Sequence, residues 1–136
     1  MDIDAFERLL PAVTPANRPY WEGLAAGELR VQFCEDDGTA WFPESPVCPR
    51  CLSPKYTWKA ASGRGTLWSW IRMHQNYFAA FDDERPYVIA FIRLEEGPFF
   101  IGTVTDPVER LTIDADVELD FNQVGSRTVA TFRLAK

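Results

Sequence analysis

Three cysteines and one aspartate stand in the order Cys34, Asp37, Cys48, Cys51, a C-x2-D-x10-C-x2-C arrangement within FCEDDGTAWFPESPVCPRC. No other stretch constrains the fold as tightly, because it holds all three cysteines of the 136-residue chain. Two residues between a pair of ligands let both side chains point into one space while N–H groups of the turn face them. That geometry suits a tetrahedral, sulfur-rich metal site. The Cys48-Pro49-Arg50-Cys51 knuckle meets the requirement, and its counterpart after Cys34 carries Asp37 where a fourth thiolate would stand. Three cysteines cannot all pair, so metal suits them better than a disulfide frame.

The spacing is that of a zinc ribbon with one ligand changed. Asp supplies oxygen to zinc, but among three thiolates it mixes hard and soft donors. Three arrangements stay open: zinc held by Cys34, Asp37, Cys48 and Cys51; zinc held by the thiolates plus water or another group; or a ribbon without metal, standing on packing. A catalytic zinc is disfavoured, because the single histidine, His74, lies far along the chain on another expected element.

Around the knuckles the pattern is ribbon-like. ELRVQF (28–33) alternates as a strand, Thr39 to Phe42 returns as its hairpin partner, and Tyr56 to Ala60 adds a third. Such a unit is too small to bury a core alone and needs metal or a neighbour. Ahead of it, Asp2 or Asp4 caps a short helix through Leu10. Asn17 then opens a second, with Pro19 in its first turn, Tyr20, Trp21, Leu24 and Ala25 at helical spacing, and Gly27 as its stop. Tyr20 and Trp21 suit either packing on their own domain or a partner surface.

From Gly63 onward the chain reads as five strands. The first, from Gly65 to Gln75, alternates Leu67, Ser69, Ile71 and Met73 against Trp68, Trp70, Arg72 and His74. A loop from Asn76 to Arg85 holds Tyr77, Phe78 and Phe81. YVIAFIRLEE, FFIGTV, Val117 to Phe121 and Thr128 to Leu134 follow, with the main connector between the third and fourth strands. That order is an OB-type barrel. The expectation is a mainly β protein: helical segment 1–27, ribbon 28–60 and barrel 61–136.

Composition narrows the function. The net charge is −6, with six basic and nine acidic residues before position 60 and eight and eleven after it. Neither part has the cationic excess that phosphate neutralisation requires. Trp68, Trp70 and Tyr77 alone therefore argue weakly for single-stranded nucleic acid. No apolar run spans a bilayer and no signal pattern opens the chain, so a soluble, cytoplasmic protein is expected. GRGTL lacks the lysine and helix of a phosphate loop. Ser69 and His74 fall on opposite faces of one strand, which leaves a Ser–His dyad unsupported. His74 and the aromatic loop beside it remain candidates for contact with a ligand or partner.

These pieces in order carry a resemblance. They are the PYWEGLAAGEL helix, the Phe33-Cys34 pair, A-W-F-P-x-x-P-V-C-P-R-C, the G-x-G-T-L-W-S-W strand with His74-Gln75, PYVIAFIRLEE and the closing TFRL. The chain resembles OB-fold proteins with an N-terminal rubredoxin-like zinc ribbon, a domain-of-unknown-function family whose members accompany thiolase-like and acyl-CoA enzymes. The similarity runs from about Pro19 to the C-terminus. It implies a non-catalytic accessory subunit that carries structural zinc. The implied partner is a thiolase-like or lipid-transfer-protein-like enzyme, such as a steroid side-chain aldolase or an acyltransferase, or a hot-dog-fold enoyl-CoA hydratase. The barrel would lie near that partner's CoA-thioester site. Asp37 departs from the family's four-cysteine pattern. The rival reading is a free-standing acyl-CoA-binding module, which needs Arg64, Arg72, Arg85 and Arg93 to converge on a polyanion.

Overall fold

Helix α1 (Arg18–Ala25) begins where Pro19, with its fixed φ, sits in the first turn. It ends before Gly27, whose φ of +84° suits glycine. The computed structural model describes residues 7–74 and 87–136. Asn17 occupies the N-cap position, but its side chain makes no bond to the helix. Instead it turns back, accepting the Thr14 N–H at 2.7 Å and donating to the Ala12 carbonyl at 3.0 Å. Tyr20 and Trp21 pack against the core, Tyr20 tilted on Phe42 and Trp21 beneath the Arg127 guanidinium. The other expected helix, through Leu10, lies partly outside the described residues; a turn closes from the Leu10 N–H to the Glu7 carbonyl.

The ribbon is a three-stranded antiparallel sheet of β1 (Arg30–Cys34), β2 (Ala40–Trp41) and β3 (Tyr56–Ala60), in the order β2-β1-β3. Its packing problem is solved by a neighbour. Leu29 and Val31 join Leu24 of α1 and the barrel's Leu67, Ile92, Phe100 and Phe132 in one buried cluster. Each such side chain contributes about 1.5–3 kcal/mol by leaving water, so helix, ribbon and barrel stabilise one another.

The barrel strands are β4 (Arg64–Met73), β5 (Tyr87–Leu94), β6 (Phe99–Gly102), β7 (Asp116–Val124) and β8 (Arg127–Leu134). They form one sheet in the order β6-β5-β4-β7-β8, antiparallel throughout. A parallel bridge between Val104 and Phe132 draws the two ends together, giving a curled half-barrel of OB type. The expected five strands are present, with the connector after β6 holding a 3-10 turn at Val108–Arg110. Gly65 pairs with Leu94 on one side and Val117 on the other, and its bare Cα admits the Arg93 carbonyl, which a Cβ would meet at 2.7 Å.

The alternation expected for β4 breaks at a β-bulge between Leu67 and Ser69. Leu67 is buried, and the extra residue shifts the register so that Trp70 packs on the core while Ile71 faces outward. Trp68 and Trp70 thus do not form one platform. Among the described residues, no helix is long and apolar enough to cross a membrane.

Candidate metal centre

Two knuckles of matching form build the centre. In the first, the Gly38 N–H donates to the Cys34 carbonyl and the Cys34 N–H to the Thr39 carbonyl. In the second, the Leu52 N–H donates to the Cys48 carbonyl and the Cys48 N–H to the Ser53 carbonyl, at the same sequence offsets. Gly38 and Leu52 hold the same place and both have positive φ, +77° and +63°. In each knuckle an N–H points at the leading sulfur: Asp37 to Cys34 Sγ and Arg50 to Cys48 Sγ, both at 3.4 Å. By this correspondence Asp37 stands where Cys51 stands in the second knuckle.

The structure gathers all four expected ligands, with one donor atom from each lying within 4.8 Å of the others. Cys34 Sγ is 3.6 Å from Cys51 Sγ, and both Asp37 carboxylate oxygens are 3.7 Å from Cys48 Sγ. Tetrahedral zinc with bonds of about 2.3 Å to sulfur and 2.0–2.2 Å to oxygen spaces its donors roughly 3.5–3.8 Å apart. The donor set therefore fits such an ion. Cys34 and Cys48 are buried, while Asp37 and Cys51 form the solvent-facing edge.

The electrostatics agree with a cation site. The Thr39 N–H, donating to Asp37 Oδ1 at 2.9 Å, is the main reason the Asp37 carboxyl is held below the usual carboxylate range. Burial pushes the Cys48 thiol up, but the Cys51 and Arg50 N–H groups, together with the Cys51 and Cys34 side chains, more than reverse this, and it ends lowered. At Cys51 the Ser53 N–H favours the thiolate. Desolvation and the neighbouring Cys34, Cys48 and Asp37 outweigh it, and the thiol is pushed up to about 12. Four crowded donors thus keep a proton on Cys51 that a divalent cation would displace. The part Thr39 plays in holding the Asp37 carboxylate escaped the sequence reading, although Asp37-Gly38-Thr39 carries the signature of a turn closed by an Asp side chain.

Other candidates do not gather. His74 is exposed just beyond β4, while Tyr77, Phe78, Phe81 and Arg85 lie outside the described residues. Arg64 and Arg93 line one open groove of about 520 Å³, but Glu95, Asp116 and Glu118 line it too, and Arg64 is paired with Glu95 at 2.8 Å. Carboxylates outnumber arginines there, which does not suit a polyanion.

Known proteins share this architecture. Residues 21–57 match the family described as "ChsH2, rubredoxin-like zinc ribbon domain", and residues 58–122 match "ChsH2, C-terminal OB-fold domain". A "DUF35 domain-containing scaffold protein" of Pyrococcus furiosus is 34% identical over 101 residues, 74% of this chain and 73% of that protein. One of the same description in Methanocaldococcus jannaschii is 32% identical over 93 residues, 67% of this chain and 65% of its own length. The "3-oxo-4,17-pregnadiene-20-carboxyl-CoA hydratase alpha subunit" of Mycobacterium tuberculosis is 31% identical over 101 residues, which are 74% of this chain but 32% of that subunit. Among solved structures, a chain of an "Ltp2-ChsH2(DUF35) aldolase" superposes with a TM-score of 0.83 at 29% identity, covering 93% of this chain and 100% of that one. A DUF35-family protein of Sulfolobus solfataricus shares the fold alone, at TM-score 0.63 and 15% identity. The chain therefore belongs to the ChsH2/DUF35 family, in which a rubredoxin-like zinc ribbon precedes an OB-fold domain.

Proposed function

We propose that this protein is a non-catalytic accessory subunit of an acyl-CoA-processing complex. It binds a thiolase-like or lipid-transfer-protein-like enzyme in the cytoplasm and helps form that enzyme's CoA-thioester site. The observation that carries this reading is the likeness to the chain of the Ltp2-ChsH2(DUF35) aldolase over that chain's entire length. The scaffold names of the archaeal relatives support it as well. The division into helical segment 1–27, ribbon 28–60 and barrel 61–136 belongs to the same reading.

Within that role, Cys34, Asp37, Cys48 and Cys51 hold a structural zinc ion. When bound, zinc supplies cross-linking of the two knuckles and no chemistry on substrate. The four residues would offer it three sulfurs and one oxygen, and Thr39 holds the carboxylate that would complete the set. A second reading, a hydratase partner in place of an aldolase or acyltransferase, is favoured by the likeness to the hydratase alpha subunit, whose name specifies a CoA thioester. A free-standing acyl-CoA module is the weaker account, because the Arg64–Arg93 groove is balanced by acids.

The test is purification of the tagged chain from its native host, with co-purifying proteins identified and quantified by mass spectrometry. A thiolase-like enzyme in fixed stoichiometry is the expected result, and a hydratase would select the second reading. Recovery of the chain alone, at monomer or homodimer size, would sink the accessory role.

A further inference from the structure

Strands β4, β5 and β6 carry no Asp or Glu, although the chain has 20. Their charged residues are Arg64, Arg72 and Arg93. The outer face of these strands is apolar. Trp68 is 51% exposed, Ile71 56% and Ile101 59%, with Phe91 and Phe99 also exposed. Register makes the patch continuous: Ile71 faces Ile89, Phe91 faces Ser69 on one side and Ile101 on the other, and Phe99 faces Arg93. The Trp68 ring meets Phe99 edge-on at 5.2 Å and Phe91 at 6.5 Å, so the tryptophan is braced by its neighbours.

The bulge creates this surface. With unbroken alternation from the buried Leu67, Ile71 would point inward and Trp70 outward; the extra residue reverses both. The five exposed side chains together present on the order of 500 Å² of apolar surface, near the top of the range for the largest patch on a monomer. That is most of the roughly 800 Å² that one side of a stable interface buries.

We infer that this face docks the catalytic subunit of the complex, through an apolar patch on that subunit with a carboxylate placed to meet Arg93. The inference rests on the accessory-subunit reading above. Charge selects the occupant. A two-fold dimer sets the same patch against itself, and β4, β5 and β6, which form it, offer Arg93 no carboxylate; the acids of the Arg93 groove, Glu95, Asp116 and Glu118, lie off those strands. The chain's net charge of −6 further opposes self-association. Trp68, aromatic, central and pre-ordered, is the anchor.

The test titrates the full-length chain into the host's purified thiolase-like, Ltp2-type enzyme and follows complex formation by sedimentation velocity. Trp68→Asp and Ile101→Asp each weaken binding at least 100-fold with an unchanged melting curve, while Val13→Asp, at an exposed apolar residue ahead of α1, stays within about twofold. Hydrogen exchange adds a readout independent of variant folding: residues 99–102 gain protection on mixing. If wild type binds and both face variants bind equally well without such protection, this docking face is overturned and the accessory role stands. If wild type does not bind, both fall together. A homodimer that Trp68→Asp dissolves would overturn the choice of occupant.

Discussion

Gln32 and Ser45 exchange two hydrogen bonds across the ribbon. The Gln32 Nε2 donates to the Ser45 carbonyl and the Ser45 N–H donates to Gln32 Oε1, both at 2.9 Å. Gln32 is 1% exposed and lies two residues before Cys34, while Ser45 lies three residues before Cys48. One buried amide therefore sets the two knuckles against each other. Gln32→Met keeps the length but strands both Ser45 backbone groups, and the expected loss is about 2–4 kcal/mol in urea unfolding. Gln32→Glu also destabilises, since a carboxylate cannot donate to the carbonyl. A Gln32→Met protein as stable as wild type would show that the pair is dispensable.

Metal and ribbon stability should move together. In zinc-loaded protein, Cys48→Ser costs several kcal/mol, because binding energy there is folding energy. Asp37→Cys tightens zinc binding and Asp37→Asn weakens it, as read by competition with a chelator. Zinc binding displaces protons from the thiols, so affinity falls as pH is lowered. Unchanged melting of Cys48→Ser, together with no zinc by elemental analysis, would make the ribbon a metal-free relic.

The two positive-φ positions of the knuckles, Gly38 and Leu52, give opposite expectations. Leu52 is exposed at φ +63°, a conformation costing roughly 1–2 kcal/mol for a side chain with a Cβ. Leu52→Gly therefore raises stability, by about 0.5–1 kcal/mol after glycine's extra unfolded-state entropy. Gly38→Ala lowers it by a similar amount. Thermal unfolding of the pair checks both signs, and destabilisation by Leu52→Gly would contradict the knuckle correspondence.

Glu7 ties the N-terminal segment to the β7–β8 turn. The Ser126 hydroxyl, at 2.6 Å, and then the Ser126 N–H, at 3.3 Å, hold its carboxyl below the usual value. A depressed folded pKa means that this tie is fully present above the unfolded glutamate pKa, about 4.3, and is lost as pH falls through the lower folded value. Glu7→Gln should flatten the acid limb of the stability profile and leave little change in its slope above pH about 5. An acid limb parallel to wild type would exclude the tie.

Much of this was legible in order and spacing. That Cys34, Asp37, Cys48 and Cys51 would gather was readable because two-residue knuckles have few geometric solutions, and the strand order because OB connectors fall at characteristic places. The β4 bulge was not, since nothing in Leu67-Trp68-Ser69-Trp70 says which tryptophan the core admits. That choice belongs to the fit against Phe100, Phe132 and the rest of the buried cluster. The back-turned side chain of Asn17 was likewise missed, because an N-cap asparagine and one that braces the preceding loop look alike in sequence. The Gln32–Ser45 pair spans thirteen residues and no local pattern announces it.

The most direct measurement is reconstitution of the host's thiolase-like enzyme with and without this chain, assaying turnover of its CoA thioester. The account expects one complex of fixed stoichiometry, with turnover that depends on the added chain while the chain alone has none. Full activity of the enzyme by itself, with the chain sedimenting separately, would contradict it.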